Sequence, residues 1–197
     1  MSESSAATNA ALPALPARSV LFLVTGSVNA ALVPYWFHWL RQAYPDLTVH
    51  AVVTESAQRF VTVEALRRLV SGSVWTDSWD DPNLPTEAHV SLADIADCYA
   101  VFPATLDFTM RLAGGFGNTP ALLALQMTTK PIVLAAAHPA SNAVVEEMTT
   151  RLLKRENVAF SPTVPSYSVG KKKWEGETGF YLPGVLETLN KLLSSTT

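Results

Sequence analysis

The sequence predicts an α/β fold: a single-domain, doubly wound, Rossmann-like or flavodoxin-like sheet, mostly parallel, with helices on both faces. Short apolar runs alternate with stretches of helical spacing along nearly the whole chain. Several runs are apolar on both faces, which suits parallel strands covered by helices on either side. The length of 197 residues suits one domain, and no internal repeat or linker interrupts the pattern.

Taken in order, residues 1–17 are rich in Ala, Ser and Pro and predict a disordered tail. Ser19 to Thr25 is a continuous apolar run ended by Gly26-Ser27, and Ala30 to Ala43 has helical spacing. Leu47 to Val53 is a second strand, closed by Thr54-Glu55-Ser56, with a helix expected over Ala57 to Val70. Gly72 to Pro85 is turn-rich. Its Asp77, Asp80 and Asp81 do not have the spacing of a calcium loop, so a solvated loop anchored by Trp75 and Trp79 is expected, with no metal site. Ala88 to Ala96 is a short helix carrying His89, followed by a third strand, Tyr99 to Phe102. Helical spacing resumes over Phe108 to Ala113 and Thr119 to Met127. Pro131 to Ala137 is a fourth strand, Ala143 to Arg155 a helix and Val158 to Phe160 a fifth strand. Ser161 to Gly179 is polar and reads as a long loop, and Val185 to Leu193 closes the chain as an amphipathic helix.

Composition excludes several function classes. Net charge is −3 and the one basic run is Lys171 to Lys173, which argues against a nucleic-acid partner. No window approaches the ~20 apolar residues of a membrane span, and the N-terminus lacks the features of a signal peptide. The single cysteine, Cys98, excludes an intrachain disulfide and fits a cytoplasmic location. It reads as a small core residue. The apolar fraction of 48% against 16% charged leaves apolar surface for an oligomer to cover.

Ligands of such sheets sit outside the carboxyl ends of the strands. Those ends here are Thr25-Gly26-Ser27, Thr54, Pro103-Ala104-Thr105 and His138-Pro139, all small, polar or proline-containing. Gly26-Ser27 ahead of a helix is able to hold a phosphate on helix amides, or to be an ordinary turn. Thr54 and Ser56 suit either the same phosphate or a helix cap. None of these ends carries a lysine or arginine suited to nucleoside triphosphate chemistry.

These segments, in this order, resemble the homo-oligomeric flavin-containing cysteine decarboxylases. The resemblance rests on Val24-Thr25-Gly26-Ser27, on Val53 to Val61, on Val74 to Trp79, on His89 to Ala93, on Ala96-Asp97 and on Pro103-Ala104-Thr105. It implies a flavoprotein domain over residues 18–197. The PASANT signature of that family aligns on Pro103 to Phe108, with Asp107 where the family has Asn. The PxMN signature aligns on Pro139 to Asn142, with Ser141 in place of Met. These departures point away from phosphopantothenoylcysteine decarboxylase and toward a divergent peptide-modifying member.

The resemblance implies FMN as cofactor, with FAD as the alternative. Gly26, Ser27, Thr54, Pro103, Ala104, Thr105 and Asp107 would be its binding residues. It implies His89 as catalytic base and Asn142 as the group bonded to the substrate carboxylate. It also implies a trimer, or four trimers in a dodecamer, with flavin at the subunit contact. The substrate would be a peptide ending in cysteine. Oxidation of the cysteine to a thioaldehyde would allow loss of CO2 and leave an enethiol. Relatives that reduce this product use a cysteine in the loop corresponding to Ser161 to Gly179. That loop contains none here, so the product should stay an enethiol. Asp107, a carboxylate near a substrate carboxylate, is expected to turn toward the subunit contact or a backbone amide. Two other readings are a flavin prenyltransferase, for which the first turn is a poor match, and a non-enzymatic flavin-binding regulatory subunit.

Overall fold

The computed structural model describes residues 12–137, 142–168 and 172–195. Six strands form one parallel sheet: β1 (Ser19–Val24), β2 (Thr48–Val53), β3 (Val74–Thr76), β4 (Cys98–Ala104), β5 (Ile132–Ala136) and β6 (Val158–Phe160). Their order is β3-β2-β1-β4-β5-β6, so the chain reverses direction across the sheet between β1 and β4. The helices are α1 (Val33–Ala43), α2 (Val63–Arg67), α3 (Ala88–Asp94), α4 (Leu106–Ala113), α5 (Pro120–Met127), α6 (Ala143–Leu152) and α7 (Leu182–Ser195). No helix among the described residues is long and apolar enough to cross a membrane.

The alternation of β1 explains why its sequence is apolar throughout. Val20, Phe22 and Val24 enter one core with Val33, Phe37 and Leu40 of α1 and with Leu182, Val185, Leu186 and Leu189 of α7. Leu21 and Leu23 enter the other with Leu92 of α3, Phe108 and Leu112 of α4, Leu122 and Leu125 of α5 and Leu152 of α6. Aromatic rings pack the first core closely: Phe22 lies 5.0 Å from Phe37, and Phe102 stacks on Phe180 at 4.1 Å.

Four expectations are corrected. The helix expected over Ala57 to Val70 is two short pieces, a 3-10 turn (Ala57–Arg59) and α2. Thr62 divides them, its hydroxyl accepting the Ala65 amide at 3.1 Å as the cap of a new helix. The loop expected over Gly72 to Pro85 contains β3, an edge strand of three residues, too short to show a period. The long loop over Ser161 to Gly179 contains an antiparallel hairpin, β7 (Val164–Ser168) and β8 (Lys173–Thr178). The strand at Tyr99 runs on through Pro103 to Ala104, with a register shift between Val101 and Ala104 where proline cannot donate to the ladder. Of residues 1–17, only 12–17 are described. They have no regular structure, yet Leu15 and Ala17 pack on the core and the Tyr44 hydroxyl donates to the Pro13 carbonyl at 2.7 Å.

One buried polar group ties the middle of the sheet to solution pH. His50 in β2 lies parallel to the Trp75 ring, and its Nδ1 accepts the Ser73 amide at 3.0 Å. Gly72 leaves it room, since a Cβ there would come within 2.8 Å of the Val49 carbonyl oxygen and would overlap the imidazole. Burial holds the His50 imidazole below its ordinary value, so the neutral ring is the folded form. The unfolded chain then takes up this proton more readily than the folded one. The stabilisation is complete above about pH 6.5 and is lost as pH falls from there toward the folded-state value. Urea unfolding between about pH 7.5 and about pH 5 should show wild-type stability falling more steeply than that of His50→Asn, whose amide oxygen does not titrate. Parallel curves would contradict this account of His50.

Candidate active site

The carboxyl ends of β1, β2, β3 and β4 open onto one cleft of about 310 Å³. It is lined by Thr25, by Thr54-Glu55-Ser56, by Asp77, and by Thr105, Asp107, Phe108 and Arg111, and is closed by Thr119 and Leu122 at the start of α5. This is the point where the strand order reverses, where two neighbouring connections leave on opposite faces and part from one another.

Thr25 holds the floor together. Its buried hydroxyl donates to the Pro103 carbonyl at 2.7 Å and accepts the Thr105 amide at 3.0 Å, joining the ends of β1 and β4. The next residue is glycine for a steric reason. A Cβ on Gly26 would overlap the Ser56 side chain and lie 2.9 Å from its carbonyl carbon. Ser27 turns back onto its own helix start, accepting the Asn29 amide at 3.3 Å. Thr54 and Ser56 share a hydrogen bond of 3.1 Å, and the Thr54 hydroxyl also accepts the Ala57 amide at 3.2 Å. Thr105 caps α4, with its hydroxyl 3.4 Å from the Phe108 amide.

Of the charges in the cleft, Asp107 was expected there, while Glu55, Asp77 and Arg111 were left out of the site by sequence reasoning. Asp77 follows β3, and its Oδ1 accepts the Ala121 amide at 2.9 Å, at the start of α5. Burial pushes the Asp77 carboxyl up, against the pull of the Ala121 amide, the Thr119 hydroxyl and the Arg111 guanidinium. Asp107 does not turn toward a backbone amide among the described residues; it is exposed and lines the cleft. Both of its oxygens reach the Nε of Arg111, at 3.2 and 3.1 Å, one helical turn along α4. Asp81 is a turn residue: against the push of burial, bonds from Thr76 and Asn83 hold its carboxyl down to about 2. Among the described residues no group of three His, Cys, Asp or Glu is arranged to hold a metal.

Of the residues expected at a cofactor, Thr54, Thr105 and Asp107 line the cleft, and Gly26 and Ser27 form the turn beside it. Pro103 and Ala104 do not line it; both side chains are buried within β4. His89 lies on the first turn of α3, outside the lining, with its ring 6.1 Å from that of Trp79. Asn142 is exposed and caps α6, its Oδ1 accepting the Val144 and Val145 amides at 3.0 and 3.1 Å. His138 and the segment Pro139-Ala140-Ser141 lie outside the described residues, as does Lys171. Cys98 is buried, and burial pushes its thiol up to about 12. Thr25 was readable as the polar end of an apolar run. Asp77 was hidden because β3 was.

The model of the flavoprotein family matches residues 10–173. The chain is 47% identical over 169 residues to the cypemycin cysteine dehydrogenase (decarboxylating) of a Streptomyces species, covering 86% of this chain and 88% of that protein. It is 32% identical over 120 residues to the coenzyme A biosynthesis bifunctional protein of Bacillus subtilis strain 168, but covers only 29% of that longer protein. The crystal structure of a cypemycin decarboxylase superposes with a TM-score of 0.82 at 42% identity, over 94% of this chain and 99% of that one. That of an FMN-dependent cysteine decarboxylase from thioviridamide biosynthesis superposes at 0.64 and 28% identity, over 72% and 88%. The chain belongs to the flavoprotein family, among its flavin-containing cysteine decarboxylases.

Proposed function

We propose that this protein catalyses the FMN-dependent oxidative decarboxylation of the C-terminal cysteine of a precursor peptide, leaving an aminoenethiol, as in aminovinyl-cysteine formation. The observation that carries this reading is the 47% identity to cypemycin cysteine dehydrogenase, sustained over 88% of that protein. The cleft suits a flavin. Gly26 leaves a gap that any side chain would fill, and the hydroxyls of Thr54, Ser56 and Thr105 surround it with groups able to donate to a phosphate or to ribityl oxygens. The volume of about 310 Å³ is in the range of small-ligand sites.

Bound FMN supplies the two-electron oxidation of the cysteine Cβ–S unit. The chain supplies position and proton transfer. His89 takes the thiol proton, so that a C=S bond forms as the Cβ hydride leaves. CO2 then departs from the carbon next to this thioaldehyde, because the electrons of the breaking C–C bond flow into C=S. Asn142 holds the carboxylate beforehand. Its Oδ1 is engaged with α6, and its amide NH2, the group a carboxylate needs, makes no hydrogen bond among the described residues. Cys98 is too buried to take part. The cytoplasm suits a reaction whose substrate is a free thiol. Val28, Leu32 and Tyr35 are 57%, 54% and 65% exposed on the turn and helix after β1, which supports a homo-oligomer; a trimer, or four trimers in a dodecamer, is the assembly that the family resemblance implies.

Two tests follow. Purified protein should carry FMN and remove one CO2 and two hydrogens from a peptide ending in cysteine, seen by mass spectrometry. His89→Ala should keep its flavin and lose roughly 10²- to 10⁴-fold in turnover. A flavin-free protein, or one that never changes the peptide, would contradict the function; undiminished turnover in His89→Ala would contradict the role of His89. In the second test, Gly26→Val should fold yet lose the flavin, because its side chain must displace Ser56 at the cleft. Wild-type flavin content in that variant would contradict the placement of the cofactor.

A further inference from the structure

We propose that Trp79 is a positioning residue for His89, a role that rests on the reading of His89 as the base. Among the described residues, the side-chain hydrogen bonds that hold the helix carrying His89 lie at its C-terminal end. At the C-terminal end of α3, the buried Tyr99 hydroxyl donates to the carbonyls of Leu92 and Ala93, at 3.1 and 2.6 Å. The Lys130 ammonium donates to those of Asp94 and Ala96, at 3.0 and 2.9 Å. At the N-terminal end no side chain caps the helix. There the His89 ring takes part in no hydrogen bond or ion pair among the described residues. Its ring contact is Trp79, edge to face, with centroids 6.1 Å apart and planes at 68°.

Trp79 is itself held. Its Nε1 donates to the Asn118 carbonyl at 2.9 Å, in the loop ahead of α5. Two residues earlier, Asp77 accepts the Ala121 amide at 2.9 Å in the first turn of the same helix. The segment after β3 is thus latched to the start of α5 at two points. One point lies in the cleft wall and the other carries the indole to His89. The indole that meets His89 is thereby held to the same helix start as a residue of the cleft wall. Trp79 is still 50% exposed, so burial alone does not explain a tryptophan at this place.

The test uses the flavin-loaded enzyme with 13C-labelled histidine, the His89 Cε1–H signal being assigned by its loss in His89→Ala. In Trp79→Leu, which keeps apolar bulk without a ring, that signal should move as the indole ring current disappears. Turnover should fall roughly ten- to a hundredfold, with KM for the cysteine-terminated peptide changed less than threefold (about 0.6 kcal/mol). Trp79→Phe, which keeps one aromatic ring and loses the pyrrole ring with its Nε1 bond, should recover most of the turnover and part of the shift. An unmoved His89 signal in Trp79→Leu would overturn the proposal, as would equal turnover in Trp79→Leu and wild type while His89→Ala is inactive. If His89→Ala itself turns over normally, the base assignment fails and the proposal fails with it.

Discussion

The site depends on one hydroxyl. Parallel strands either side of a reversal in strand order send their connections to opposite faces, so nothing in the connections themselves holds the two strand ends together. In this protein Thr25 does so, donating to Pro103 and accepting from Thr105 across the β1–β4 boundary. The Pro103 carbonyl needs such a partner because the ladder shifts register there. The Thr105 amide starts the residue that caps α4. One side chain therefore fixes the floor of the cleft, the start of α4 and the turn at Gly26. Its burial makes the bond strong in effect: with the hydroxyl removed, a buried carbonyl and an amide lose their partner, at a cost of about 1–3 kcal/mol.

A second constraint is the distribution of charge. The cleft walls carry Glu55, Asp77 and Asp107 against Arg111. Asp107 is tied to Arg111 along α4, and Asp77 lies within the field of the same guanidinium while holding the start of α5. The Asp77 and Asp107 carboxylates are engaged with protein partners, and the cleft also presents the neutral hydroxyls of Thr54, Ser56 and Thr105. An aspartate at position 107 is compatible with an anionic ligand for this reason. The exposed ion pair contributes little to stability, about 0–1 kcal/mol. Its effect is on where the charge points.

Much of this was legible in the sequence where a segment is buried on both sides. The runs that became β1 and β5 are apolar without alternation, because Val20 to Val24 and Ile132 to Ala135 face one core and the other in turn. Gly26, Thr54 and Thr105 were legible as the residues that follow such runs. What failed to show was short or depended on distant partners. Val74-Trp75-Thr76 is three residues long, and with it went the place of Asp77 at a strand end. The β7–β8 hairpin is polar, with Tyr167 and Trp174 packed on each other at its surface, so it lacks a buried face to read. Arg111 was missed although its spacing from Asp107 is that of a helical ion pair. The contact of Trp79 with His89 joins a turn to a helix start and has no periodicity at all.

The claim that the β1–β4 junction builds the cofactor site is tested most directly by the FMN dissociation constant of Thr25→Val, measured by quenching of flavin fluorescence against wild type. Valine keeps the shape of threonine and removes only the hydroxyl. The account predicts a folded protein whose dissociation constant rises roughly tenfold or more, the equivalent of about 1.4 kcal/mol. A folded Thr25→Val protein that binds FMN as tightly as wild type would contradict it.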